Sequence, residues 1–147
     1  MKNNNYIIEV VGSQNDGVSE DEIKLTTTGS FVKDHENYYI SYLEGDDFGA
    51  QDTTTTVHIN SEKINIIRDG GVKSKLTLQK GKRHLCAYET GVGHLMVGIC
   101  AENINSELNA EGGNLYFSYA MDINSEFAST NHIHIRVRPS KREPVFS

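Results

Sequence analysis

Residues 53–60 read Thr53-Thr54-Thr55-Thr56-Val57-His58-Ile59-Asn60, β-branched almost throughout. Such side chains are stiff at χ1 and pack well on a pleated surface, so this run predicts a strand. The preceding stretch, Glu36-Asn37-Tyr38-Tyr39-Ile40-Ser41-Tyr42-Leu43-Glu44, is rich in aromatic and β-branched residues. Beyond the threonines, Ile64 and Ile66 alternate with Lys63 and Asn65, and Leu76 and Leu78 alternate with Lys75, Thr77 and Gln79. Ile23, Leu25, Thr27, Gly29 and Phe31 share one face. So do Leu95, Val97, Ile99 and Ala101, then Leu115, Phe117, Tyr119 and Met121, then Ile133, Ile135 and Val137. Period two is the mark of half-buried strands.

Turn signals separate these runs: Asn15-Asp16-Gly17, Asn60-Ser61-Glu62, Asp69-Gly70-Gly71, Lys80-Gly81-Lys82, Gly91-Val92-Gly93 and Glu111-Gly112-Gly113. No segment carries a capped apolar stripe of helical period. Residues 102–110 place Ile104 and Leu108 four apart, but Asn103, Asn105 and Asn109 are poor helix formers. This stretch reads as a strand with a bulge. The chain is therefore all-β, with about nine or ten short strands joined by hairpins. A meander leaves two exposed edges, and closing into a single antiparallel up-and-down barrel removes them. A two-sheet sandwich is the alternative, but no long crossover supports it.

The chain has 147 residues, 37% of them hydrophobic and 23% charged, with a formal net charge of -6. That is enough apolar content for one folded domain, expected over residues 1–138, with residues 139–147 as a flexible tail. The acidic balance argues against nucleic acid as a partner. No apolar run approaches the roughly 20 residues of a membrane helix, and no membrane association is expected. Cys86 and Cys100 are too few for a disulfide scaffold and read as two free thiols. Met1-Lys2-Asn3-Asn4-Asn5-Tyr6 lacks the apolar core of a signal peptide, so the expected location is cytoplasmic. The glycine pairs at Gly70-Gly71 and Gly112-Gly113 are hairpin turns without a following helix, not phosphate cradles, and no cofactor is expected.

Six ordered pieces resemble the DUF1934 family of bacterial proteins. They are Tyr38-Tyr39-Ile40-Ser41-Tyr42 with Glu44; Thr53-Thr54-Thr55-Thr56; Ile66-Ile67-Arg68 with Gly70; Gly81-Lys82-Arg83-His84 with Tyr88-Glu89-Thr90; Gly93 with Leu95 and Gly98; and Glu111-Gly112-Gly113 with Tyr119. Together they span about residues 20–137. Val92 departs from the family's usual aromatic or proline before the glycine, which touches a turn. The resemblance implies a calycin-like barrel, similar in shape to lipocalins and fatty-acid-binding proteins. It implies no activity.

In a barrel, the informative residues are polar ones in phase with apolar faces. Arg68 follows Ile64 and Ile66 at even spacing and should point inward. Tyr38 and Tyr42 share the phase of Ile40, and Tyr119 that of Phe117. Thr53 and Thr55 can direct hydroxyls inward. Arg83 and Glu89 share the phase of Leu85 and Ala87, whereas His84, Cys86 and Tyr88 take the other, so only one set is internal. A buried arginine requires an acceptor. Arg68 and Arg83 can pair with Glu44 or Glu89, or they can hold the carboxylate of a bound acid with tyrosine hydroxyls assisting.

The expected function is non-enzymatic binding of a small anionic or amphipathic molecule inside the barrel. Arg68, Arg83, Tyr42, Tyr88, Tyr119, Glu89 and Thr55 are the candidate ligand-binding residues. Leu76, Leu78, Leu95, Val97 and Phe117 would form the apolar wall. The alternative is a filled barrel acting as a protein-interaction or regulatory module, with His132, His134, Arg136 and Arg138 as a basic outer stripe. A third reading, an enzyme using Arg83, His84 and Glu89, lacks an oxyanion-hole loop and an orienting third group. His132 and His134 lack a third zinc ligand. His84 with Cys86 lacks the context of a nucleophile pair. Asp46, Asp47 and Asp52 read as a solvated acidic loop.

Overall fold

The computed structural model describes residues 5–44, 53–70, 73–90 and 93–140. The alternating segments become ten strands: β1 (Tyr6–Asn15), β2 (Glu20–Asp34), β3 (Asn37–Glu44), β4 (Thr53–Ile59), β5 (Lys63–Asp69), β6 (Ser74–Gln79), β7 (Arg83–Thr90), β8 (Gly93–Asn109), β9 (Gly112–Ile123) and β10 (Glu126–Pro139). Each pairs antiparallel with its neighbour in sequence. The first and last pair with each other, from Tyr6 opposite Pro139 to Asn15 opposite Thr130, which closes the barrel. Closure satisfies the backbone groups that two free edges would expose. Among the described residues there is no helix.

β1 is the strand the alternation does not single out. Its apolar residues come in pairs, Ile7-Ile8 and Val10-Val11, so neither phase stands out. Burial decides between them: Ile8 is 0% and Val10 9% exposed. The bulge read into residues 102–110 lies in β8, where the pairing with β9 shifts between Ala101 and Asn103. That shift lets one strand of 17 residues keep Val97 and Ile99 inside before it and Ile104 and Leu108 against the core after it.

The lumen is layered. Phe31, Ile40, Val57 and Ile66 face one another across β2 to β5, and Leu76 continues the row on β6. Below them, Tyr38, Ile59, Ile64 and Leu78 form a second layer. Ile8, Ile40, Ile64, Leu78, Ile99, Leu115 and Ile135 are all under 2% exposed. Each such side chain contributes about 1.5–3 kcal/mol of burial free energy.

Between β6 and β7 the register changes phase. The turn at Lys80-Gly81 sets Gln79 opposite Lys82, with Gly81 at φ 76°, where glycine carries no steric penalty. Five residues back along β6, Ser74 lies opposite Tyr88, which is six residues on along β7. The one extra residue on β7 inverts its faces. Cys86 is 5% exposed, whereas Leu85 is 63% exposed. The internal set is therefore that of His84 and Cys86, and Arg83 lies outside. The irregular seam also redirects a backbone donor: the Thr77 N–H points at Cys86 Sγ, 3.5 Å away.

Cys86 lies opposite Val97 and Cys100 opposite Arg83, on opposite phases of adjacent strands. Both are free thiols, as expected. No helix among the described residues is long and apolar enough to cross a membrane.

Candidate functional site

Above the aliphatic layers, one interior row is polar. Register carries it across the strands: Gly29 opposite Tyr42, Tyr42 opposite Thr55, Thr55 opposite Arg68, Arg68 opposite Ser74, and Ser74 opposite Tyr88. Tyr42 is 8%, Thr55 2% and Ser74 8% exposed. Thr53, two positions further along β4, is 0% exposed, so the row does not sit at a water-filled mouth. Arg68 is half-buried, and its Nε is shielded from solvent. Ser74 Oγ is buried without a hydrogen-bond partner. A buried hydroxyl in that state costs about 1–3 kcal/mol unless something satisfies it.

Chemically, the row offers a guanidinium fork, a phenol and hydroxyls in a low-dielectric lumen. That combination suits a planar anion, because charge-assisted bonds strengthen away from water. The inward threonines match the reading from sequence. Of the expected residues, Tyr42, Thr55 and Arg68 come together, and the register adds the β7 position of Tyr88. The side chains of Tyr88, Glu89 and Glu44 lie outside the described residues, as do Asp46, Asp47 and Asp52. Tyr119 lies elsewhere in the lumen, opposite Asn131 on β10 and stacked near Phe117 with ring centroids 6.4 Å apart. The expected apolar wall holds: Leu76, Leu78, Val97 and Phe117 are buried, and Leu95 packs against them.

Arg83 is the correction. Its side chain is 44% exposed on the outer face, where it pairs with Asp122 at 2.7 Å. The extra residue on β7 put it there, so two inward arginines reduce to one. Arg83 and His84 are neighbours on one strand and face opposite ways, which separates these two members of the trio considered for catalysis. Burial and two lysines, Lys82 and Lys63, hold the His84 imidazole below its ordinary pKa. Its Nε2 lies 3.0 Å from Gln79 Oε1.

Two interior polar features escaped the sequence reading. Ser74 lies one alternation step before Leu76 and Leu78. Ser129 and Asn131 lie in the same phase as Ile133 and Ile135, and Asn131 Nδ2 donates to Ser129 Oγ at 3.1 Å. In both cases, extending the apolar phase backwards by one or two steps finds them. The outer stripe is where alternation put it, and Arg136 and Arg138 flank Glu9 at 3.5 and 3.4 Å.

The fold and its lumen define an all-β protein: a ten-stranded up-and-down barrel with a largely apolar interior, a polar row from Tyr42 to Ser74 and a separate buried Ser129–Asn131 pair. The chain belongs to the DUF1934 family, a domain of unknown function whose model matches residues 8–135. It is 26% identical over 121 residues to the uncharacterized beta-barrel protein YwiB of Bacillus subtilis strain 168, covering 82% of this chain and 81% of that one. The crystal structure of the ywiB protein from Bacillus subtilis aligns over 92% of each chain with a TM-score of 0.81 at 21% identity. That likeness is one of fold.

Proposed function

We propose that this chain is a cytoplasmic binding protein that takes a small anionic, partly apolar molecule at the polar end of its lumen. The observation that carries the reading is the continuous row Tyr42–Thr55–Arg68–Ser74 beside the aliphatic layers of the barrel. Arg68 faces the acid group, Tyr42 and Thr55 add hydrogen bonds, and Ser74 Oγ gains the partner it lacks. The aliphatic layers beside the row receive the apolar part. A calycin-like use of the barrel belongs to this proposal.

The second reading is a filled barrel that acts through its outer faces as an interaction module. The tightly buried aliphatic layers favour it. Thermal denaturation with a panel of medium-chain carboxylates and organic phosphates, alongside native mass spectrometry, separates the two. The binding reading expects a saturable rise in Tm with at least one anion, abolished in Arg68→Met while that variant still melts cooperatively. If no anion shifts the wild type, the filled barrel stands.

A further inference from the structure

On the outside of the barrel, register aligns two adjacent rows across five strands. In the first, His134 lies opposite Val11 on one side and Tyr116 on the other, and Tyr116 lies opposite Asn105. In the second, His132 lies opposite Ser13 and Ser118, Ser13 opposite Glu22, and Ser118 opposite Asn103. These positions line a cleft of about 420 Å³. A barrel's outer surface is ordinarily convex, and a hollow of this volume falls within the roughly 300–1,000 Å³ of small-molecule sites.

The lining is prepared for hydrogen bonding and left unused. Among the described residues, Ser13, Glu22, Asn103, Asn105, Ser118 and His132 line the cleft without a side-chain hydrogen bond to the protein. Ser118 is only 6% exposed. One wall is fixed: His134 Nε2 lies 2.9 Å from Asn114 Oδ1, and its ring stacks on Tyr116 at 4.3 Å and 12°. The Tyr116 ring is thereby held as a flat apolar platform, 39% exposed.

We propose that this cleft binds a neutral, multiply hydroxylated ring, the chemistry of a monosaccharide or cyclic polyol. Such a ring lays its C–H face on an aromatic plane while its hydroxyls both donate and accept. The two amides, two hydroxyls and one carboxylate supply that mixture. Charged ligands fit poorly. No lysine or arginine lines the cleft to hold an anion. No group of three His, Cys, Asp or Glu among the described residues is placed to hold a metal ion. The cleft opens on the outer face, backed by Phe117 and Ile133 of the core.

The test is titration of the ¹⁵N-labelled full chain with D-glucose, D-galactose, N-acetyl-D-glucosamine and myo-inositol in turn, following backbone amides. Saturable shifts clustered at Asn103, Asn105, Tyr116, Ser118 and His132 with at least one probe are expected. Asn103→Ala should weaken that binding about tenfold, roughly the value of one lost hydrogen bond. Tyr116→Ala should abolish it, and Arg68→Met should leave it unchanged. The proposal is overturned if no probe gives saturable shifts on this face. It is equally overturned if Asn103→Ala binds as well as wild type, or if only an acidic peptide moves these signals.

Discussion

Arg83 reaches across Gly98 to Asp122. Its Nε donates to Oδ2 at 2.9 Å and its Nη2 to Oδ1 at 2.7 Å, a fork-on-fork pair on the outer face of β7, β8 and β9. A Cβ on Gly98 would collide with the guanidinium and with the carboxylate, so glycine is what lets the pair lie flat over the middle strand.

Gly98→Ala should therefore displace the pair without disturbing the barrel, because the atoms in the way are the ends of flexible side chains. Asp122→Asn should lower stability in the wild type and have no effect in the Gly98→Ala background. The Arg83 hydrogen bond chiefly holds the Asp122 carboxyl below its ordinary pKa. The nearby positive charge and the Ser125 N–H assist, and burial opposes them. The contribution is thus present above the ordinary carboxylate range and disappears as pH falls through the lower native value. Urea unfolding of the wild type and the three variants at neutral and strongly acid pH checks both points, with a small effect expected because solvent screens the pair.

The inverted phase of β7 predicts opposite outcomes at adjacent positions. Leu85→Ser should change stability by no more than about 0.5 kcal/mol, as surface sites do. Cys86→Ser should cost about 1–3 kcal/mol, since it buries a stronger polar group among apolar neighbours. A thiol reagent applied to native protein should modify the half-buried Cys100 well before the buried Cys86. Equal labelling rates would place β7 in the other register.

His84 should give the barrel an acid-sensitive slope. Its native pKa lies below the usual imidazole value because burial, then Lys82 and Lys63, disfavour the charge. The unfolded chain takes up the proton first. Stability therefore falls as pH drops through the ordinary histidine range and levels off below the native value. His84→Gln should flatten this part of the pH profile. An unchanged slope in the variant would assign it to another group.

Most of this architecture is legible in the sequence because strands buried on one face must alternate. Ile64, Ile66 and Arg68 needed only their even spacing to be placed inside, and Tyr42 and Thr55 likewise. The facing of two strands was not legible. β1 presents apolar residues in adjacent pairs, which favour neither phase. On β7, a single extra residue decides whether Arg83 or His84 turns inward, and a bulge of that kind leaves no compositional trace. The outer cleft was invisible for a different reason. Ser13, Asn103, Asn105 and Ser118 are ordinary outward residues on three strands, and only register unites them.

Arg68→Ala should destabilise the barrel by about 2 kcal/mol or more, because it strands interior groups arranged around a guanidinium. Chemical denaturation measures it directly, and a neutral result would move Arg68 to the surface.

The most direct test of the interior row is the exchange rate of arginine Nε–H protons with water, read by NMR on the native protein. A solvent-shielded Arg68 Nε–H should exchange far more slowly than that of Arg136 on the outer stripe, which is 53% exposed. If the two exchange at the same rate, Arg68 is not inside and the polar row has no guanidinium to receive an acid.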